Sequence, residues 1–264
     1  MDVASLFSVK DKVVLVTGGS RGMGEMIATG YVANGAKVYI TSRSVEACDE
    51  VTERLNKLGP GKCFSIPADL HKKEEITRLV SELQKHEDHL DVLVNNAGMA
   101  LSYHEFDTFK RIGWEKVMNL NLTSIFFLTQ ACLPLLTAKS SQANPSSVIN
   151  ISSVGGIGIS QFASYPYTAS KAALNHLTKV LAGHLGFRGI TVNSIAAGLF
   201  MSKMSKDLLD SAGEVISSAL PMGRIGIPED LVGVCIYLSS RAGAYMNGAV
   251  LVLDGGALCN AAKF

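Results

Sequence analysis

A glycine-rich turn between a buried strand and a helix restricts the fold of this chain more than any other feature. The strand is the apolar run Val13-Val-Leu-Val16, which continues directly into Thr17-Gly-Gly-Ser-Arg-Gly-Met-Gly24. Helical periodicity follows as far as Asn34-Gly35, a typical helix end. Bare backbone amides and the helix dipole favour negative charge at a helix N-terminus. The strand, loop and helix together therefore predict a phosphate-binding turn.

Strand and helix patterns alternate along the whole chain, without a linker, a repeat or a low-complexity segment. The other strand patterns lie at 37–41, 62–67, 91–94, 147–152, 190–195 and 248–254. This alternation predicts one doubly wound (Rossmann) α/β domain over residues 1–264, with a seven-stranded parallel sheet and helices on both faces. Residues 199–224 are rich in Met, Ser and Lys with less regular patterning, and we interpret them as a lid over the substrate.

Composition and charge exclude several classes of protein. The chain has 264 residues, of which 47% are hydrophobic and 18% charged, as expected for a well-buried core. The net charge is +1 with no basic tract, so nucleic acid and anionic membranes are poor candidates as partners. Residues 1–12 lack the apolar run of a signal peptide, and no stretch is long and apolar enough to span a membrane. We therefore expect a cytoplasmic protein.

The five cysteines are scattered at positions 48, 63, 132, 235 and 259, with no Cys-x-x-Cys pair and no histidine clustered near them. This spacing argues against a disulfide framework and against a zinc site. We expect buried, reduced thiols and no bound metal.

The end of the second strand indicates which dinucleotide is bound. An unphosphorylated cofactor is usually met here by a carboxylate on the ribose, but the strand ends in Ser42-Arg43-Ser44. Arg21 in the glycine loop is a second cation that can reach the same ribose. Two such cations predict a 2′-phosphate and hence NADP(H). The alternative is a pair of solvated surface arginines.

Two further strand ends carry candidate cofactor contacts. Asp69, followed by Leu70, can accept a hydrogen bond from the adenine amino group, or it can cap the helix that begins near Lys72. The fourth strand runs into Asn95-Asn-Ala-Gly98, where small residues allow a ribose to lie close to the backbone. An ordinary asparagine–glycine turn is the alternative interpretation.

The fifth strand delivers Ser153 at its carboxyl end, and Tyr167 and Lys171 follow on a helix predicted over 168–185. Residues four positions apart share one helix face, so the phenol and the ammonium point into the same space. A neighbouring cation favours the phenolate, so we expect a lowered tyrosine pKa. Asn119 and Asn121 interrupt a long apolar helix pattern over 114–136, where an asparagine can bend the helix and hold a water.

In this order and at these distances, the motifs resemble those of the short-chain dehydrogenase/reductase family along nearly the whole chain. Within that family the chain is most similar to the 3-oxoacyl-carrier-protein reductases of the rhamnolipid type. The motifs are the glycine loop 17–24, Asp69, the turn 95–98, Asn121, Ser153, the Tyr167–Lys171 pair and the segment 224–256 with Arg-Ile-Gly-Ile-Pro-Glu-Asp.

The resemblance implies an NADPH-dependent ketoreductase that reduces a 3-oxoacyl thioester or a similar ketone to an alcohol. It implies that Tyr167 protonates the carbonyl oxygen, that Ser153 holds that oxygen, and that Lys171 grips the nicotinamide ribose and lowers the tyrosine pKa. Asn121 would anchor a relay water. The implied cofactor residues are Gly18, Ser20, Arg21, Gly22, Met23, Ser42, Arg43, Asp69, Leu70, Asn96, Ala97, Gly98, Tyr167, Lys171, Gly198, Phe200 and Ser202.

Some candidates compete within this pattern. Tyr165 has Ala169 rather than a lysine four residues later, and the resemblance favours Ser153 over Ser152 and Asn121 over Asn119. Ala197-Gly198 stands where most relatives have Pro-Gly before the lid.

Alternative functions on the same scaffold are a reductase of free ketones, polyols or secondary metabolites, and a non-catalytic dinucleotide sensor. The resemblance also implies a homotetramer or homodimer, and a substrate that is either free or linked to a carrier protein.

Overall fold

The computed structural model describes residues 2–101, 106–159 and 164–259. The outermost residues of the predicted 1–264 domain therefore lie outside the described part, as do four residues each of the segment before Phe106 and of the connection between Ser153 and Tyr167.

In the described residues, seven strands form one parallel sheet in the order β3-β2-β1-β4-β5-β6-β7, which confirms the predicted fold class. The strands are β1 (Val13–Thr17), β2 (Lys37–Thr41), β3 (Lys62–Ser65), β4 (Val92–Asn95), β5 (Ser146–Ser153), β6 (Ile190–Ala197) and β7 (Val250–Leu253). The order reverses between β1 and β4, and in open α/β sheets ligands bind outside the strand ends at such a point.

The register brings the chemically important strand ends to one edge of the sheet. Thr17 pairs with Thr41, Asn95 with Asn150, and Ser153 with Ala197. Ala197 is the last residue of β6 and lies in the ladder between β5 and β7, so the strand runs without a break up to the Ala197-Gly198 position.

The helices are α1 (Val3–Leu6), α2 (Gly22–Ala33), α3 (Val45–Leu55), α4 (Lys73–His86), α5 (Arg111–Met118), α6 (Ser124–Ala131), α7 (Leu133–Ala138), α8 (Tyr165–Leu185), α9 (Lys206–Ala219) and α10 (Pro228–Ser239). They cover both faces of the sheet. The apolar cluster on one face includes residues of α2, α3 and α10, and the cluster on the other includes residues of α4, α6, α7 and α8.

Strand β1 shows why the sheet has two cores. Val14 and Val16 pack into the first cluster, whereas Val13 and Leu15 pack into the second, because successive strand residues point to opposite faces. All five residues of β1 are buried. A strand that is buried on both sides explains the uninterrupted apolar run that the sequence shows.

Two segments differ from the predicted secondary structure. The long helix over 114–136 is divided by a π-helical turn, Asn119–Thr123, where the asparagines were expected to bend it. The lid segment, expected to be irregular, contains the helix α9, whose backbone departs from helical geometry at Ala212. Its apolar residues have helical spacing, but serines and a glycine obscure that spacing in the sequence.

In the part of the chain that the structure describes, no helix has the length and apolar character needed to cross a membrane.

Candidate active site

The glycine loop closes tightly against the end of β4. Gly18 has a φ of +65°, and a Cβ at this position would lie 2.9 Å from Asn96 Nδ2. A Cβ on Gly24 would lie 2.2 Å from the Gly18 carbonyl oxygen, so α2 can begin this close to the loop only without a side chain there. The Asn96 Nδ2 donates to the Thr17 carbonyl at 2.9 Å, which ties the loop to β4.

A cleft of about 470 Å³ opens along this edge of the sheet. Fifteen of the predicted cofactor residues line it: Gly18, Ser20, Arg21, Gly22, Met23, Ser42, Arg43, Asp69, Leu70, Asn96, Ala97, Gly98, Tyr167, Lys171 and Ser202. The strand ends, the glycine loop and the start of the lid therefore converge as the sequence predicts.

Gly198 and Phe200 are not among the residues that line this cleft. The Phe200 side chain is 4% exposed and packs in the core, where its ring fills the space beside Gly226. A Cβ on Gly198 would lie 2.7 Å from the Asp254 Cα, so this glycine is needed for packing against the end of β7. The Phe200 side chain therefore does not face the cleft, and a cofactor contact at Gly198 or Phe200 stays a prediction.

One end of the cleft carries the two predicted arginines. Arg21 and Arg43 line it together with Ser42 and Ser44, and both arginines are exposed. Their guanidinium groups and the serine hydroxyls are hydrogen-bond donors that suit a phosphate. With the narrow glycine cradle at Gly18, these residues fit a dinucleotide that carries an additional phosphate on the ribose.

Asp69 does not cap the following helix, so the alternative interpretation of this residue was wrong. Helix α4 begins at Lys73 with Lys72 at its N-cap and no side-chain capping bond. Asp69 Oδ1 instead accepts from the His71 backbone N at 3.2 Å and lies 3.0 Å from His71 Nδ1. The Asp69 pKa is lowered overall. Burial alone would raise it, but the hydrogen bonds from His71 and the charge of Arg43 together have the larger, opposite effect.

Tyr167 and Lys171 also line the cleft, and Ser153 lies beside Tyr167. The Lys171 Nζ is 5.6 Å from the centroid of the Tyr167 ring, as the four-residue spacing predicts. The Ser153 Oγ accepts a hydrogen bond from the Gly155 backbone N at 3.1 Å and also interacts with the Tyr167 hydroxyl. Two hydroxyls are thus directed at one point beside a cation, an arrangement that can stabilise a developing oxyanion.

The ionisation of Tyr167 differs from the expectation. Burial raises the Tyr167 pKa above 10, and the hydrogen bond with Ser153 opposes this shift without cancelling it. The expected lowering by Lys171 is not seen: the shift of the Tyr167 pKa has two causes, burial and the Ser153 hydrogen bond, and burial is the larger. Lys171 is 4% exposed and donates to the Ile151 carbonyl at 2.7 Å, and burial lowers its pKa to about 8.

The competing residues have other partners. The Ser152 Oγ donates to the Lys171 carbonyl at 3.1 Å, so this hydroxyl holds the helix rather than facing Tyr167. The Tyr165 ring packs edge-on against Phe106 and Phe109, with centroids 5.4 and 5.9 Å apart. These contacts support the choice of Ser153 and Tyr167.

Asn121 is completely buried, and its side chain is held by the Met99 backbone and the Ser170 hydroxyl. Its Oδ1 accepts from the Met99 N at 2.9 Å, and its Nδ2 donates to the Met99 carbonyl at 2.9 Å and to the Ser170 Oγ at 3.1 Å. Both amide N–H groups are used, so the side chain has no donor left for the relay water that the resemblance implies. A water beside Asn121 would have to donate a hydrogen bond to an oxygen atom, since it cannot accept one from this amide.

The cleft also includes His71 and Met99, which the sequence interpretation did not select. Each directly follows a residue that was selected, Leu70 or Gly98, and this position was the only signal available. Their side chains are of kinds that are common on surfaces and in loops. In the described residues, no cluster of carboxylate, imidazole and thiol groups is arranged to hold a metal ion.

Comparison with known proteins places this arrangement in a family. A family model described as "Enoyl-(Acyl carrier protein) reductase" matches residues 18–257. The rhamnolipids biosynthesis 3-oxoacyl-[acyl-carrier-protein] reductase of Pseudomonas aeruginosa is 44% identical over 252 residues, covering 95% of this chain and 97% of that protein. The 5-keto-D-gluconate 5-reductase of Escherichia coli K12 is 33% identical over 255 residues, covering 96% of this chain and 98% of that protein.

Solved structures agree with these sequence matches. A Pseudomonas aeruginosa RhlG/NADP active-site complex superposes with a TM-score of 0.92 at 44% identity, covering 96% of this chain and 98% of that one. A gluconate 5-dehydrogenase from Burkholderia cenocepacia, in complex with NADP and tartrate, gives a TM-score of 0.90 at 27% identity, covering 98% and 100%. The chain belongs to the short-chain dehydrogenase/reductase family.

Proposed function

We propose that this protein is an NADPH-dependent ketoreductase that converts the carbonyl group of a 3-oxoacyl thioester or a similar ketone to a secondary alcohol. The observation that carries the proposal is that Tyr167 and Lys171 line the same cleft as Arg21 and Arg43, with Ser153 hydrogen-bonded to Tyr167. NADPH, when bound, supplies the hydride that reduces the carbonyl carbon.

The side chains provide the proton and the electrostatic stabilisation. The Tyr167 pKa is raised above 10, so at neutral pH the phenol carries the proton that a general acid must donate to the carbonyl oxygen. The Ser153 hydroxyl stabilises the same oxygen as negative charge develops on it. Lys171 would hold a ribose hydroxyl of the bound cofactor and, in its charged form, would favour the phenolate that proton donation leaves behind.

The arginine pair favours NADPH over NADH. Arg21 and Arg43 replace the carboxylate that usually binds an unphosphorylated ribose, and they supply charge-assisted donors for a 2′-phosphate. Two structural relatives contain NADP. This support for NADPH does not depend on which ketone is the substrate.

The substrate class is supported by the lid and by one relative. Met201, Met204 and Met222 are 45%, 56% and 64% exposed near the lid, which favours an apolar substrate over a sugar. The name of the Pseudomonas aeruginosa relative refers to a 3-oxoacyl substrate. The second candidate is reduction of a sugar ketone or another free ketone, which the 33% identity to a keto-gluconate reductase favours.

A dinucleotide sensor without catalysis is a weaker candidate. Such a protein needs the glycine loop and the arginines but has no use for Ser153, Tyr167 and Lys171 in contact. All three positions carry the residue that the reaction needs.

The proposal extends to assembly and location. Ile112, Trp114, Phe126 and Phe127 on α5 and α6 are 37–56% exposed, which supports burial of this face in a homodimer or homotetramer. The free cysteines support a reducing compartment such as the cytoplasm. Light scattering after gel filtration measures the oligomeric state, and a monomer would contradict the proposed homodimer or homotetramer.

The test of function is steady-state reduction of a panel that contains a 3-oxoacyl-coenzyme A thioester, a cyclic ketone and 5-keto-gluconate. We expect NADPH-dependent turnover that is highest with the thioester. Replacing Arg21 and Arg43 by alanine should lower kcat/KM for NADPH by roughly 10- to 100-fold per charge-assisted contact and change the NADH value little. The control is Arg188→Ala, an exposed arginine outside the cleft. A parent enzyme that prefers NADH would contradict the proposal.

A further inference from the structure

The π-helical turn Asn119–Thr123 lies between α5 and α6 and contacts both ends of the cleft. Asn119 and Asn121 are two residues apart on this turn, and their side chains reach different segments. The Asn119 Nδ2 donates to the His71 carbonyl at 3.1 Å, whereas the Asn121 side chain binds the Met99 backbone and Ser170. Leu120, between them, lines the cleft itself.

On one side, Asn119 fixes the segment that carries Asp69. The His71 carbonyl is held by Asn119, while the His71 N and Nδ1 lie 3.2 and 3.0 Å from the Asp69 Oδ1. The His71 backbone is therefore held at its carbonyl by the π turn and at its amide by the carboxylate. Asp69, Leu70 and His71 all line the cleft. Loss of the Asn119 contact would leave the His71 carbonyl without this side-chain donor, although backbone bonds still hold the segment at Ala68 and Lys72.

On the other side, Ser170 joins the π turn to the helix that carries Tyr167. The Ser170 Oγ donates to the Tyr167 carbonyl at 2.7 Å and accepts from the Asn121 Nδ2 at 3.1 Å. Ser170 and Asn121 are both completely buried, so water cannot replace either contact without cost. The hydroxyl therefore fixes the backbone of Tyr167 relative to the π turn and, through Asn121, relative to Met99.

We propose that Asn119 and Ser170 are positioning residues that act through one π turn on opposite ends of the cleft. Asn119 positions Asp69 and its neighbours for the adenosine end of NADPH. Ser170 positions Tyr167 for proton donation. The inference rests on the proposed function for the identity of the bound ligand, whereas the contacts themselves do not depend on it.

The two residues are expected to affect different constants. Asn119→Ala should raise the Kd of NADPH by about tenfold, measured by fluorescence titration without substrate, and leave kcat at saturating NADPH within twofold of the parent. Ser170→Ala should lower kcat by about tenfold and leave the NADPH Kd within twofold. Ser170→Cys keeps a weak donor of similar size, so an intermediate kcat is expected.

Control variants separate these hydrogen bonds from general packing. Asn119→Asp has almost the same shape as the parent residue but loses the amide donor, so it should bind NADPH at least as weakly as Asn119→Ala. Asn56→Ala and Thr137→Ala remove an amide and a hydroxyl that bind the Cys63 and Leu133 carbonyls outside the cleft. Neither control should change the NADPH Kd or kcat by more than twofold. An Asn119→Asp variant with the parent Kd would overturn the proposal.

Hydrogen exchange of the protein without NADPH tests the coupling separately from function. Asn119→Ala should raise amide exchange over residues 70–73, whereas Ser170→Ala should leave that segment unchanged. If the parent does not bind NADPH, the proposed function is wrong. The difference in amide exchange between the two variants then tests the positioning roles of Asn119 and Ser170 by itself. Equal exchange in both variants, or an equal effect of both on Kd and kcat, would overturn it.

Discussion

At the scale of single residues, the fold changes the ionisation of Lys171 in a way that affects the pH dependence of the reaction. It is buried, and burial lowers its pKa from 10.5 to about 8. The ammonium form is therefore lost in the free protein as the pH rises through about 8. Negative charge on a bound cofactor favours the ammonium, so the corresponding pKa in the complex is higher.

We predict a pH dependence that differs between the free protein and its complex. Because the lysine charge grips the ribose, kcat/KM for NADPH should fall as the pH rises through about 8, and kcat should fall only at higher pH. In Lys171→Met, kcat/KM for NADPH should be lower at every pH, and its decline near pH 8 should be absent. The measurement is a pair of rate profiles between pH 6 and 10, and a parent profile of kcat/KM that is flat over this range would contradict the assignment.

The residues of the site show what the sequence could predict and what it could not. The spacing of Tyr167 and Lys171 correctly places both side chains at the cleft. Their pKa values do not follow from spacing, because they depend on burial by residues that are distant in sequence, such as Ile151. For the same reason, nothing in the sequence revealed that Asn119 contacts His71, which is 48 residues earlier.

At the scale of secondary-structure elements, a buried polar ladder joins β4, β5 and α8 beneath the site. The Asn95 Nδ2 donates to the Asn150 Oδ1 at 2.9 Å, and the Asn150 Nδ2 donates to the Thr178 Oγ1 at 2.9 Å. All three side chains are completely buried. Thr178 is on the same helix as Tyr167 and Lys171, so the ladder fixes the depth of that helix relative to the sheet.

We predict that Asn150→Ala destabilises the protein by about 2–3 kcal/mol. The substitution removes both hydrogen bonds of the ladder, each worth about 0.5–1.5 kcal/mol, and leaves a cavity in place of the amide. The Asn95 Nδ2 keeps only a 3.3 Å bond to the Thr129 Oγ1, and the Thr178 hydroxyl keeps its bond to the Leu174 carbonyl. Urea unfolding measures the change in the free energy of unfolding. The control is the exposed Asn144→Ala, expected within about 0.5 kcal/mol of the parent, and a similarly small effect of Asn150→Ala would contradict the importance of the ladder.

The existence and order of the elements were predictable because each buried strand is a short apolar run and each helix has apolar residues at helical spacing. Element ends were less predictable. Helix α8 begins at Tyr165 rather than at the predicted 168, because Pro166 fits its first turn. The strand β6 continues to Ala197, because Ser153 and Leu253 pair with it on both sides, and this pairing is not visible in the local sequence.

At the scale of the whole molecule, the two-sided core determines which thiols can react. Cys48, Cys63, Cys132 and Cys235 are buried, and Cys259 is the one exposed cysteine in the described chain. Burial raises the pKa of Cys132 and of Cys235 to about 12 and that of Cys63 to about 11. These thiols are neutral as well as inaccessible at ordinary pH.

We therefore predict that a thiol reagent such as 5,5′-dithiobis(2-nitrobenzoate) at pH 8 labels one cysteine rapidly in the folded protein. After denaturation in guanidinium chloride it should label five. Cys259→Ser should abolish the rapid reaction of the folded protein. Rapid reaction of two or more thiols would show that a core cysteine is accessible, contrary to the packing of the sheet.

The central claim is that Tyr167 donates the proton to a carbonyl group that NADPH reduces. Tyr167→Phe removes one oxygen atom and retains the ring, so NADPH should bind with a Kd within about threefold of the parent. The rate of NADPH oxidation with the most active ketone should fall by at least about 100-fold, as expected for loss of a general acid. If the variant oxidises NADPH with that ketone as fast as the parent does, Tyr167 is not the acid and the proposed mechanism is wrong.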